Sequence, residues 1–215
     1  MGWLDLAREQ ELWEAGYRWV AGLDEVGRGA LAGPVVAAAV ILPPGRSDLC
    51  AILDKVRDSK MLTPHQREAL FPLIRATSLG IGIGIASAGF IDRWGIVPAV
   101  KQAMWMAVAN LPVAPDYLLI DAVRLPEAGI AQESIIKGDS HILSIAAASV
   151  VAKVFRDRLM VALDQYHPGY GFAVHKGYGT AAHRTALERL GPCPAHRRSF
   201  APLRRECCSA SPSPC

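Results

Sequence analysis

The pattern of apolar and polar positions divides the chain into an ordered series of strands and helices. Gly2 to Ala15 carries Leu4, Leu12 and Trp13 at spacings that place them on one face of a helix. Tyr17 to Leu23 reads as a strand ending at Asp24, followed by a glycine-rich turn from Val26 to Gly33. Val35 to Leu42 is an almost unbroken apolar run, the pattern of a strand buried on both faces, and Pro43-Pro44-Gly45 ends it. Thr63-Pro64-His65-Gln66 predicts a helix start with a capping threonine, proline at the first helical position and a glutamine that completes a capping box. That helix runs to about Ala76. Ser78 to Ala86 alternates glycine and isoleucine, which suits a strand whose glycine face lies against another backbone. A helix is expected from Ile96 to Leu111, a short buried strand from Asp116 to Asp121, and another short strand over Ser134 to Ile136. Ser140 to about Leu163 is the longest helix, capped by Asp139 or Ser140. A loop dense in glycine, histidine and aromatics follows from Gln165. Thr180 to Leu190 forms a last helix closed by Gly191. No internal repeat is visible, and strands mixed with helices predict an α/β fold around a central sheet.

Composition narrows the class. With 215 residues, 51% of them hydrophobic and 20% charged, the chain can bury one substantial core. The longest apolar candidates, Pro34 to Pro44 and Leu79 to Ile91, fall short of the ~20 residues a spanning helix needs. Met1 to Gln10 carries Asp5, Arg8 and Glu9 rather than an apolar signal segment, so a soluble, cytoplasmic protein without membrane contact is expected. Of the five cysteines, Cys50, Cys193, Cys207, Cys208 and Cys215, three fall in the last nine residues. The odd number and that crowding argue against a disulfide framework and for free thiols. Cys193, His196, Cys207 and Cys208 match no common zinc spacing. Glu206 to Cys215 is expected to be a disordered tail. Net charge is only +3, but from Lys137 onward eleven Lys and Arg face five Asp and Glu, whereas before it twelve face fifteen. A basic rear third suits a polyanionic partner.

The acids carry the candidate chemistry. Asp24 and Glu25 adjoin at the end of one apolar strand, Asp121 ends another, and Asp139 stands before the longest helix. In an α/β fold such termini gather the active site. Acids at the edge of a core cost free energy unless paired or metal-bound, and all-oxygen ligation suits Mg²⁺ or Mn²⁺ rather than zinc. Taken singly, Asp139 is equally well a helix cap and Asp121 a turn residue; the group of four carries the reading. Gly27, Gly29 and Gly33 also resemble a dinucleotide-binding loop, which would make the protein a nicotinamide-dependent oxidoreductase. Such a loop must open a helix, however, and here a strand follows Pro34.

With these motifs in place, the chain resembles the ribonuclease HII (type 2 ribonuclease H) family. The matching stretches are Asp24-Glu25-Val26-Gly27-Arg28-Gly29 with Ala32-Gly33-Pro34, Asp58-Ser59-Lys60, Asp121, Lys137-Gly138-Asp139, and Ser144 to Ser149 continuing to Lys153. His175-Lys176-Gly177-Tyr178-Gly179-Thr180 and Arg197-Arg198-Ser199-Phe200 complete the set. They run in order from about residue 18 to 204. The resemblance implies a ribonuclease H-like fold with a mixed five-stranded sheet flanked by helices. Residues 1–164 would form the catalytic domain, 165–205 a helical substrate-binding extension and 206–215 the tail.

The resemblance also implies an endoribonuclease that cuts the RNA strand of RNA/DNA hybrids and nicks 5′ of single ribonucleotides in duplex DNA. Its products would carry a 3′-hydroxyl and a 5′-phosphate, and it would act as a monomer in removing ribonucleotides from DNA. Asp24, Glu25, Asp121 and Asp139 would hold two divalent ions, Mg²⁺ or Mn²⁺, that activate water and stabilise the leaving oxygen. Gly27, Arg28 and Gly29 would read the ribose 2′-hydroxyl, Tyr178 would stack on the neighbouring deoxyribose, and Lys60 would lie near a phosphate. His175, Lys176, Arg184, Arg197 and Arg198 are expected to track the duplex backbone. Phe155 and His141 depart from the family pattern without touching the four acids. Alternatives are another nuclease of the same fold and a binding protein that has lost catalysis.

Overall fold

The computed structural model describes residues 4–46 and 48–203. The expected tail, with Cys207, Cys208 and Cys215, and the first residues of the expected N-terminal helix lie outside the described residues. In chain order the elements are α1 (Ala7–Glu14), β1 (Val20–Val26), β2 (Val35–Ile41), α2 (Leu49–Ile52), α3 (Pro64–Thr77), β3 (Gly80–Ala86), α4 (Ala88–Trp94), α5 (Ile96–Ala109), β4 (Tyr117–Asp121), β5 (Ala131–Ile135), α6 (Leu143–Tyr166), α7 (Phe172–His175) and α8 (Ala181–Leu190). Short 3-10 turns lie at Ser59–Met61, Pro126–Ala128 and Gly138–Ser140.

The five strands form one mixed sheet in the order β3-β2-β1-β4-β5. β2 pairs antiparallel with both β1 and β3, while β4 runs parallel to β1 and to β5. Every residue of β2 is buried because helices cover both faces of the sheet. Ala38 and Val40 face α6 and α3, while Val35, Ala37, Ala39 and Ile41 face α5. The glycines of β3 act as their pattern predicts. A Cβ on Gly82 or Gly84 would run into the carbonyl oxygens of Ala107 or Ala103, so these glycines let α5 seat directly on the sheet. On the opposite face Gly22 does the same for α6, whose backbone at Ser144 and Ile145 occupies the space of a side chain. These contacts bring the start of the longest helix against the strand that carries Asp24.

The caps of α3 form as expected. The Thr63 hydroxyl accepts from the Gln66 amide at 3.2 Å and the Gln66 side chain accepts from the Thr63 amide at 2.8 Å. Thr180 caps α8, and Gly191 closes it at φ +70°. Three expectations are corrected. β1 does not stop at Asp24 but continues to Val26, because Glu25 and Val26 keep pairing with Ala37 and Val36 of β2. Asp139 and Ser140 do not cap α6. They form their own 3-10 turn, and α6 starts three residues beyond Ser140, at Leu143, without a side-chain cap. A seven-residue helix, α4, capped by Ser87, precedes α5.

Candidate active site at the carboxyl ends of two parallel strands

The register between β1 and β4 pairs Leu23 with Ile120, and one step further come Asp24 and Asp121. The sheet thus delivers two acids side by side at the carboxyl ends of parallel strands. Asp121 is aimed by the Gly138 amide, which donates to its Oδ1 at 2.9 Å and ties β4 to the turn carrying Asp139. Lys137, at φ +57°, makes the tight entry to that turn. Asp24 Oδ1 accepts from the Glu25 amide at 2.7 Å, and Glu25 Oε1 lies 3.1 Å from Arg28 Nη1. Lys60 Nζ stands 3.6 Å from Asp139 Oδ2 and 3.9 Å from Asp58 Oδ1, on a largely exposed side chain.

The electrostatics are those of repulsion only partly offset by nearby cations. Burial pushes the Asp24 carboxyl well above the usual range, and the charges of Glu25 and Asp121 push it further, with the Ser149 hydroxyl acting in the other direction. Glu25 is raised by burial and by Asp121, with Arg28 pulling the other way. Asp139 is raised by burial, by Asp58 and by Asp121, with Lys60 opposing. Glu25 Oε2 is buried and has no hydrogen-bond partner among the described residues. A divalent cation fits this donor set, since it removes the repulsion and satisfies the orphaned oxygen. Among the described residues no three acidic, histidine or cysteine side chains stand close enough together to hold a metal ion as they are.

Asp58 belongs to this neighbourhood although sequence reasoning used it only as part of a motif. Its Oδ1 accepts from the Lys60 amide at 2.9 Å, and its charge acts on Asp139. Ser149 likewise entered only as the end of the Ser144 to Ser149 motif. Its hydroxyl donates to Ser59 Oγ at 2.8 Å, and its polarity favours the ionised form of Asp24, so α6 bears on the strand that carries that acid. The signal for both lay in polar residues placed inside otherwise apolar or turn-forming stretches.

The glycine-rich loop rises beside the acids. Gly27 sits at φ +95°, and a Cβ there would strike Arg156, whereas one at Gly29 would meet nothing within 4 Å. Gly27 therefore serves the packing beneath the loop, and Gly29 leaves open space above it. The amides of Arg28 and Gly29 donate to no acceptor among the described residues. Tyr178 is half-buried across from the loop, with the Arg156 guanidinium 5.4 Å and Lys153 Nζ 5.8 Å from its ring centre.

Of the residues expected to track a duplex, Arg197 is corrected. It is fully buried and donates to backbone carbonyls rather than facing solvent. His175 is only partly exposed and is tied to Tyr170 O at 2.7 Å and to the Gly177 amide at 3.2 Å. Cys193 and His196 do not await a metal. His196 Nδ1 accepts from the Cys193 amide at 3.0 Å with the thiol 3.2 Å away, and its Nε2 meets His183 Nε2 at 3.0 Å, so both ring nitrogens are engaged. Among the described residues no helix is long and apolar enough to cross a membrane.

Comparison with known proteins agrees with this geometry. The family model for ribonuclease HII matches residues 21–203. The ribonuclease HII of Chloroflexus aggregans is 53% identical over 199 residues, which cover 93% of this chain and 94% of that one. Among solved structures, the ribonuclease H2 of Pyrococcus horikoshii superposes with a TM-score of 0.71 at 26% identity, covering 86% of this chain and 95% of that one. A Bst-RNase HIII in complex with Mn²⁺ aligns with a TM-score of 0.67 over 87% of this chain and 68% of its own length; at 21% identity it speaks for the fold alone. The nicotinamide reading ends here, since a strand follows the glycine loop and acids line its approach. The chain belongs to the ribonuclease HII family, a family of metal-dependent endoribonucleases.

Proposed function

We propose that the protein cuts the RNA strand of RNA/DNA hybrids and nicks duplex DNA on the 5′ side of single embedded ribonucleotides, leaving a 3′-hydroxyl and a 5′-phosphate. The observation that carries the reading is the juxtaposition of two unlike surfaces. Repelling carboxylates, one with an orphaned buried oxygen, stand beside a loop whose Arg28 and Gly29 amides are unspent. Asp24, Glu25, Asp121 and Asp139 would hold two divalent ions, Mg²⁺ or Mn²⁺. Bound there, the ions would supply an activated water and charge neutralisation at the phosphodiester.

The chain's own residues do the selecting. Gly27, Arg28 and Gly29 present backbone donors to the ribose 2′-hydroxyl, the group that separates RNA from DNA. Tyr178 packs its ring on the sugar that follows, so a deoxyribose there is favoured over a bulkier ribose. Lys60, exposed and next to Asp139, meets a phosphate of the cut strand. The segment 165–205 forms the wall against which the duplex lies, and the catalytic domain is residues 1–164. The enzyme acts as a monomer in the cytoplasm, in removing ribonucleotides from DNA.

An end-labelled duplex with one ribonucleotide, incubated with Mg²⁺, Mn²⁺ or EDTA, tests this directly. A single metal-dependent nick 5′ of the ribonucleotide, absent from an all-DNA control, is expected. Cleavage of long hybrids without that nick would discard the roles of the glycine loop and Tyr178, and no cleavage of either would discard the activity.

A further inference from the structure

We propose that Arg156 and Arg197 are positioning residues that lock the glycine-rich loop and the Tyr178 turn into one rigid reading unit. Both side chains are fully buried. Among the described residues neither lies within ion-pair distance of a carboxylate, and their charges are spread instead over backbone carbonyls. Arg156 donates to Pro34 O at 2.9 Å, Ala32 O at 3.1 Å and Lys176 O at 3.0 Å. It therefore holds the far end of the glycine loop and the residue two before Tyr178 in one fork. Arg197 donates to Gly33 O at 2.9 Å and Arg28 O at 2.8 Å, fixing the loop at both ends.

Backbone bonds close the unit. The Leu31 and Ala32 amides donate to Gly177 O at 2.8 and 3.2 Å, the Gly33 amide to Ala195 O at 2.8 Å, and the Arg197 amide to Leu31 O at 2.8 Å. Two buried cations without counter-acids are costly, and a planar fork that satisfies several carbonyls at once is what only arginine supplies. The carbonyls of residues 28 and 32 to 34 are thereby occupied, whereas the Arg28 and Gly29 amides donate to no acceptor among the described residues. The Arg156 guanidinium also lies over the Tyr178 ring, so the same side chain touches both parts. The consequence is that the distance between the 2′-hydroxyl reader and the sugar-stacking ring is set before substrate arrives.

The inference rests on the reading of Gly27 to Gly29 and Tyr178 as substrate contacts. Arg156→Lys and Arg197→Lys keep the charge and lose the fork. Each is assayed, after a thermal melt shows it folded at the assay temperature, on a duplex with one ribonucleotide and on a long RNA/DNA hybrid. The ratio of kcat/KM for the two substrates is expected to fall about tenfold or more, because misplacement of an ångström costs up to about a hundredfold. An unchanged ratio, with only total activity or melting temperature reduced, would overturn the proposal. Should the variants not fold, hydrogen exchange on the unmodified protein decides. The amides of Leu31, Ala32, Gly33 and Tyr178 are expected to open together at one free energy, and independent opening of the two segments would overturn it. A wild-type enzyme that does not nick the single ribonucleotide would count against the proposed function instead, while the exchange experiment would still decide the coupling.

Discussion

The acid floor and the reading wall of the site are built on opposite principles. On the floor, Asp24, Glu25 and Asp139 are held at raised pKa by burial and by neighbouring carboxylates, with Asp121 acting on all three, and Glu25 Oε2 is left without a partner among the described residues. In the wall, the carbonyls of residues 27, 28 and 31 to 34 have donors, supplied by Arg156, Arg197 or the backbone. The floor holds repulsion that an ion would relieve; the wall is braced through its carbonyls, although Arg197 Nη2 is buried without a partner among the described residues. On the proposed function, chemistry would reside where the chain is unsatisfied and recognition where it is braced.

The sharpest way to break the comparison is to neutralise the floor. Asp121→Asn keeps shape and removes a ligand, and metal-dependent cleavage is expected to fall by about three orders of magnitude, a few kcal/mol of lost stabilisation. Its fold should persist, which circular dichroism checks; retained activity would contradict the assignment. The wall should break in the other sense. Gly177→Ala puts a Cβ against the Ala32 carbonyl at a residue with φ +80°, and a loss of about 2–4 kcal/mol in urea denaturation is expected. Smaller still is the effect of the ion on stability. Mg²⁺ or Mn²⁺ should raise the melting temperature of the metal-free protein by a few degrees, and that rise should vanish in Asp24→Asn.

The smallest effect concerns pH. Burial and the neighbouring His183 push His196 down to about 4, so its folded pKa lies below the unfolded value. Stability from this group is complete above the ordinary histidine range, near 6.5, and is lost as pH falls from there toward about 4. Urea denaturation at pH 7, 6 and 5 should follow that slope in wild type, and His196→Gln should flatten it.

Much of this molecule was legible in its sequence, for reasons that differ by element. The capping box at Thr63, the bare apolar run of β2 and the glycine face of β3 each follow from local chemistry, and each formed as read. What stayed hidden depended on partners distant in sequence. β1 was cut short at Asp24 because an acid inside a buried strand reads as a stop; only pairing with β2 carries it on to Val26. Arg197 read as a surface charge because a sequence shows its type and not the five backbone carbonyls that it and Arg156 reach. Asp139 read equally well as a cap until its own 3-10 turn separated it from α6. The expectation that the four acids act together rests on the apolar runs before Asp24-Glu25 and Asp121, which make an unpaired acid costly there. The approach of Asp58 and Lys60 to Asp139 was not legible, since a turn remote in the sequence supplies both.

The measurement that tests the account most directly is anomalous scattering from Mn²⁺ in crystals of the protein with a duplex containing one ribonucleotide. The account predicts two manganese peaks among Asp24, Glu25, Asp121 and Asp139, ~3.5–4 Å apart, with the ribose 2′-hydroxyl against the Arg28–Gly29 backbone. Peaks elsewhere, or a duplex seated away from the glycine loop, would contradict it.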